Sequence, residues 1–167
     1  KWQMAHAVGL DAIASAAAVA TDCSLTEFDL TNIPSRLENE QILWPVASYR
    51  AALSTLPNKL KNMLTKAWGE PEDDPDVVDN CFRFPAFREG WSLIALQPER
   101  GRPDIRDEEY HDLGRTPRHS YVAFYLWLQN EDIDAVIHMG AHGTLEWLPG
   151  KSVALSDECW PDALAGS

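Results

Sequence analysis

The sequence predicts an α/β fold organised around a parallel βαβ unit, from two short apolar runs and a helix-forming stretch between them. Residues 91–98 (WSLIALQP) and 134–140 (DAVIHMG) are short apolar runs that close on proline or glycine, as buried strands do. Between them, 120–129 (SYVAFYLWLQ) has helical spacing. A strand, a helix-bearing connection and a second strand place two strand C-termini at one edge, where α/β proteins usually bind ligands. The expected architecture is therefore a single Rossmann-like or flavodoxin-like α/β domain fragment over residues 1–167.

The remaining elements follow from local signals. Residues 10–20 are strong helix formers, with Asp11 where an acid favours a helix start. From 24 to 36 the chain is polar and turn-like. A helix opening on Pro45 should run over 45–56 until Pro57 breaks or kinks it. A second helix, 58–68, puts Leu60, Leu64 and Trp68 on one face and ends at Gly69, a natural C-terminal cap. Residues 70–79 (EPEDDPDVVD) form an acidic connector that reads as a solvated loop, with a cation or partner contact as the alternative.

Bulk properties narrow the function. A chain of 167 residues that is 45% hydrophobic and 24% charged is globular in composition. A net charge of -12 repels phosphates, which argues against nucleic acid or an anionic membrane surface and favours a cation or a basic partner. Cys23, Cys81 and Cys159 are far apart and form no C-x-x-C pair, so they are expected to be unpaired thiols in a reducing, cytoplasmic setting. No apolar run has the roughly 18–20 residues of a membrane helix. The chain begins at Lys1 rather than Met and stops at Ala-Gly-Ser, as a piece of a larger protein would.

Two loops at the predicted ligand edge carry the chemistry. The first, 97–119, is long, is held by three prolines and gathers Arg100, Arg102, Arg106, Arg115 and Arg118, guanidinium groups suited to carboxylates or to internal ion pairs. The second is VIHMGAHGTLEWLPGK, with His138, His142 and Glu146 at fourfold spacing. His138 falls at the end of the predicted strand, so helical metal-site geometry does not apply to it, and the HExxH pattern is absent. A helix starting near 143–144 would let His142 and Glu146 share a face at its positive end, while Gly140 and Gly143 admit a bulky ligand. Structural histidines satisfied by hydrogen bonds are the alternative. Lys151 follows Leu-Pro-Gly, but the interval from Gly143 to Gly150 exceeds that of a phosphate-binding P-loop.

The stretch HMGAHGTLEWLPGKSVALSDECWPDALAG, with YHD and PRHSYVAFYLWL before it, resembles the large subunit of aerobic cobaltochelatase, the CobN type, and its porphyrin-binding counterpart in magnesium chelatase. VGLD, WGEPEDDPD and IALQPERGR extend the resemblance along most of the chain, and the tryptophan in LEWLPGK looks more like the cobalt branch. The resemblance implies a fragment of a subunit that binds a tetrapyrrole and inserts cobalt, the substrate metal, into hydrogenobyrinic acid a,c-diamide in cobalamin biosynthesis. ATP and Mg would be handled by separate AAA+ ATPase subunits. It also implies His138, His142 and Glu146 as catalytic and metal-handling groups, and Tyr110, His111, His119, Arg100 and Lys151 as groups binding the corrin-ring precursor. The magnesium branch, acting on protoporphyrin IX, and a non-catalytic module that docks the ATPase subunits are the competing expectations.

Overall fold

A computed structural model describes residues 32–89, 92–101, 114–131, 133–136, 145, 148–149 and 159–165. Two compact units emerge: Lys1–Ile42, Phe84–Leu96 and Asp134–Gly143 in the first, and Leu43–Arg83, Gln97–Ile133 and Thr144–Ser167 in the second. The unit boundaries fall inside two strands, β1 (Gln41–Pro45) and β3 (Cys81–Glu89). With β2 (Val77–Val78) and β4 (Ser92–Ala95), these strands make a four-stranded sheet in which β3 pairs with all three others.

In the first unit, β3 and β4 form an antiparallel ladder from Ala86↔Ala95 to Glu89↔Ser92. Helix α1 (Ile33–Asn39) presents Ile33 and Leu37, spaced four apart on one face, to a buried cluster with Phe87 and Ile94. Arg36, on the same helix, stacks over the Phe87 ring at 3.8 Å and pairs with Glu40 and Glu89. Pro85 has no N–H to give the ladder, and its carbonyl still accepts the Leu96 N–H at 2.9 Å.

In the second unit, β2 and β3 are joined antiparallel through Asp79 and Asn80, whose φ values of 51° and 61° make the left-handed pair of a tight hairpin turn. Helix α2 (Val46–Ser54) opens on Pro45, and α3 (Asn58–Trp68) opens on Pro57 and stops at Gly69, as expected from proline and glycine chemistry. A short 3-10 helix, Pro71–Asp73, follows. Helix α4 (His119–Asn130) is buried without interruption from His119 to Trp127, so it is a core helix rather than an amphipathic one. It packs against α2 and against α5 (Trp160–Ala165).

The α/β class is as the sequence predicts, and the expected parallel pairing is not found among the described residues. Both ladders with defined register are antiparallel. The first strand of the expected parallel pair is β4; in the second, Asp134–Val136 has irregular backbone and 137–140 lies outside the described residues. The expected helix over 10–20 also lies outside them. Sequence reading missed α1, placed in a polar turn region, and β1–β3. The signal for β3 was the alternation of Phe82, Phe84 and Ala86 with half-buried Cys81, Arg83 and Pro85, which the internal proline disguises. Among the described residues no helix is long and apolar enough to cross a membrane, and neither Cys81 nor Cys159 is in a disulfide.

Candidate functional site

The geometry available centres on the start of α4, where the sequence Thr-Pro-Arg-His-Ser meets the acidic connector. His119 is 1% exposed and both ring nitrogens are engaged. Nε2 lies 3.1 Å from the Gly69 carbonyl, which can only accept, so Nε2 carries the proton. Nδ1 then accepts from the Tyr49 hydroxyl at 2.8 Å. Burial pushes the His119 pKa below the usual histidine value and raises that of Tyr49 well above the usual phenol value, so this pair is neutral. Tyr49 packs edge-on against Phe82 and His119, which fixes the hydroxyl's aim.

Beside it, Asp74 is 6% exposed and accepts hydrogen bonds through both carboxylate oxygens. Oδ2 accepts the Ser120 N–H at 2.9 Å, and Oδ1 accepts the Asp76 N–H at 3.0 Å and faces the Arg118 guanidinium at 3.3 Å. Burial nevertheless drives the Asp74 carboxyl upward, against the opposing pull of Arg118 and the Ser120 N–H. Arg118 also bonds Asp76 and donates from Nε to Ser120 Oγ at 2.6 Å, while burial lowers its own pKa. The 70–79 connector is thus only partly the solvated loop expected: Glu70 and Glu72 are exposed and pair with Arg50, whereas Asp74 is interior.

Of the substrate-binding candidates, Arg100 and His119 fall in this unit, both buried. The Arg100 carbonyl accepts the Arg118 N–H at 2.9 Å. Tyr110, His111, His138, His142, Glu146 and Lys151 lie outside the described residues. The closing motif is described on either side of Glu146. Leu148 is 1% exposed, its N–H reaches the Leu145 carbonyl at 3.3 Å, and the Pro149 carbonyl accepts the Trp160 N–H at 3.3 Å. Sequence reasoning missed the Tyr49–His119 pair and the joining of Asp74, Arg118 and Ser120. Asp74 had looked like one charge in an acidic run, and nothing local distinguishes it from Asp73. Among the described residues no group of His, Cys, Asp or Glu is placed to hold a metal ion.

Comparison with known proteins gives a consistent result. Residues 2–167 match the family model described as CobN/Magnesium Chelatase. The chain is 44% identical over 119 residues, 71% of its length, to the aerobic cobaltochelatase subunit CobN of Pseudomonas aeruginosa. It is 42% identical over 81 residues, 48% of its length, to a magnesium-chelatase subunit of Chlorobaculum parvum, of which it covers 6%. A solved structure titled catalytic subunit of cobaltochelatase from Mycobacterium tuberculosis superposes with a TM-score of 0.60 at 32% identity, covering 75% of this chain and 12% of that one. The chain spans about a tenth of the length of the curated cobaltochelatase relatives it matches.

Proposed function

Because this chain belongs to the CobN/magnesium chelatase family, we propose that it is a segment of a cytoplasmic chelatase large subunit that inserts cobalt into a corrin-ring precursor, hydrogenobyrinic acid a,c-diamide, in cobalamin biosynthesis. The observation that carries the cobalt branch is the reach of the similarity. Relatives named cobaltochelatase align over 71% of the chain, and those named magnesium chelatase over 45% to 64%. ATP hydrolysis, with its Mg, is assigned to AAA+ partner subunits.

Metal insertion requires that the hydrated cation shed water and that two pyrrolic N–H protons leave the ring. Neutral imidazole is a good ligand for first-row divalent metals, and its ordinary pKa suits a base near neutral pH. His138 and His142 are assigned these roles, with Glu146 holding the cation or relaying a proton. Tyr110, His111 and Lys151 are assigned to the ring and its carboxylates. Arg100 and His119 are assigned to supporting the ring site, since both are buried and both His119 ring nitrogens are engaged.

The docking-module alternative has less support, because Asp74 in the acidic run faces Arg118 and Ser120 rather than a partner. The deciding experiment titrates the full-length protein with the corrin precursor and with protoporphyrin IX, following tryptophan fluorescence. Quenching by the corrinoid alone is expected; quenching by the porphyrin alone moves the chain to the magnesium branch. With the ATPase subunits present, Glu146→Ala and His142→Ala should each fold and bind partners but lose cobalt insertion. Wild-type insertion rates in both variants would refute the site assignment.

A further inference from the structure

Over residues 43–45, 77–78 and 81–83, strands β1, β2 and β3 lie in the second unit, with β3 between the other two. Trp44 and Phe82 both pack edge-on against Tyr49, so they share the face turned into the core. Side chains alternate along a strand, which turns Leu43 and Pro45 of β1, and Cys81 and Arg83 of β3, the other way. Val78 stands directly opposite Cys81 and joins them.

This outer face is apolar where a solvated one would be polar. An antiparallel sheet with one side in water alternates apolar residues facing in with polar residues facing out. Here the outward positions are leucine, proline, valine and cysteine, and the one charge among them, Arg83, is drawn to Asp79 of the hairpin turn at 2.9 Å. Leu43 is 56% exposed and Val78 40%. Both stand on the outer strands of this group, where uncovered apolar side chains invite association.

Length indicates what covers the face. The chain covers 9% to 10% of the cobaltochelatase relatives and 12% of the solved catalytic subunit, so about nine tenths of such a subunit lies outside it. Larger chains bury a larger share of their surface against themselves. We propose that the outer face formed by Leu43, Pro45, Val78 and Cys81 is an internal interface, covered by an apolar segment of the large subunit from outside these 167 residues. The inference rests on the reading of this chain as a segment of a chelatase large subunit.

The test uses the full-length protein without ATPase subunits, carrying Leu43→Cys or Val78→Cys and treated with N-ethylmaleimide, with the modified peptide quantified by mass spectrometry. Each thiol should react on the order of a hundredfold more slowly than in the urea-unfolded protein, at every protein concentration tried. Reaction at the unfolded rate overturns the proposal. Protection that requires the ATPase subunits assigns the face to a partner, and protection that grows with protein concentration assigns it to a second copy; either overturns it. If the cysteine variants do not fold, a photoactivatable diazirine analogue of leucine in the wild-type sequence decides. A cross-link from position 43 to a peptide of the same chain outside residues 1–167 supports the proposal, and a cross-link within them, or none, overturns it. Full-length protein that protects these thiols but binds no tetrapyrrole overturns the chelatase reading alone, whereas ring binding with reactive thiols overturns this inference alone.

Discussion

Tyr49 and His119 show how a polar pair is accommodated in an apolar interior. Each donor has one acceptor: the Tyr49 hydroxyl gives to Nδ1, and Nε2 gives to the Gly69 carbonyl. Tyr49→Phe keeps the ring packing and strands Nδ1 without a donor, at a cost of about 1–3 kcal/mol. Amide exchange of the α4 segment in the full-length protein should accelerate on the order of tenfold to a hundredfold, since each 1.4 kcal/mol is about a factor of ten. The pH dependence follows from the lowered His119 pKa. The unfolded chain takes up a proton as pH falls below the ordinary histidine value of 6.5 while the buried ring stays neutral, so the contribution is fully present above that value and lost as pH drops toward the folded pKa. Asp74 runs the other way: its raised pKa gives a contribution present at low pH and lost as pH rises through the folded value. Because the two run in opposite directions, the His119 part is isolated by difference: between about pH 5 and 8, exchange protection of α4 should fall toward acid more in the wild type than in His119→Gln.

At the scale of elements, the stops are sharper than the starts. Pro57 separates α2 from α3 because it can open a helix but cannot continue one. Gly69 ends α3 with φ of 77°, a conformation that side chains disfavour, and a Cβ there would meet Asp73 Oδ2 at 3.0 Å. Gly69→Ala should cost about 1–3 kcal/mol through backbone strain. Because the Gly69 carbonyl is the acceptor for His119, faster exchange should reach α4 as well as the end of α3. Exchange confined to α3 would show that the two elements are not coupled through this bond. These helices were legible in the sequence because proline, glycine and apolar spacing act locally. Of the strands, β4 was legible and β1–β3 were not: β2 has two residues, and β3 contains a proline and is recognisable only from partners that lie elsewhere in the chain.

The groups tied internally, such as Tyr49 and His119, fall within the described residues, and the proposed catalytic groups His138, His142 and Glu146 lie outside them. The two are expected to separate kinetically. Glu146→Ala should lower kcat for insertion with ring Kd within about threefold of wild type, because it removes a group used in the chemistry. Tyr49→Phe, which removes the hydrogen-bond donor to His119, should instead raise the ring KM. Insertion kinetics at saturating and limiting ring measure the split, and an equal loss of kcat in both variants would show that the two roles do not separate.

The sequence by itself determined the family, through a closing motif whose residue identities are specific, and it determined α2, α3 and α4 with their proline and glycine boundaries, since these depend on neighbours a few positions away. Tertiary structure alone showed that the ladders with defined register are antiparallel, that Asp74 is interior while Glu70 and Glu72 are not, and that His119 is buried with both ring nitrogens engaged. The physical reason is separation along the chain. Asp74 meets Ser120 across 46 positions and Tyr49 meets His119 across 70, so neither burial nor partner is written in the residues adjacent to them.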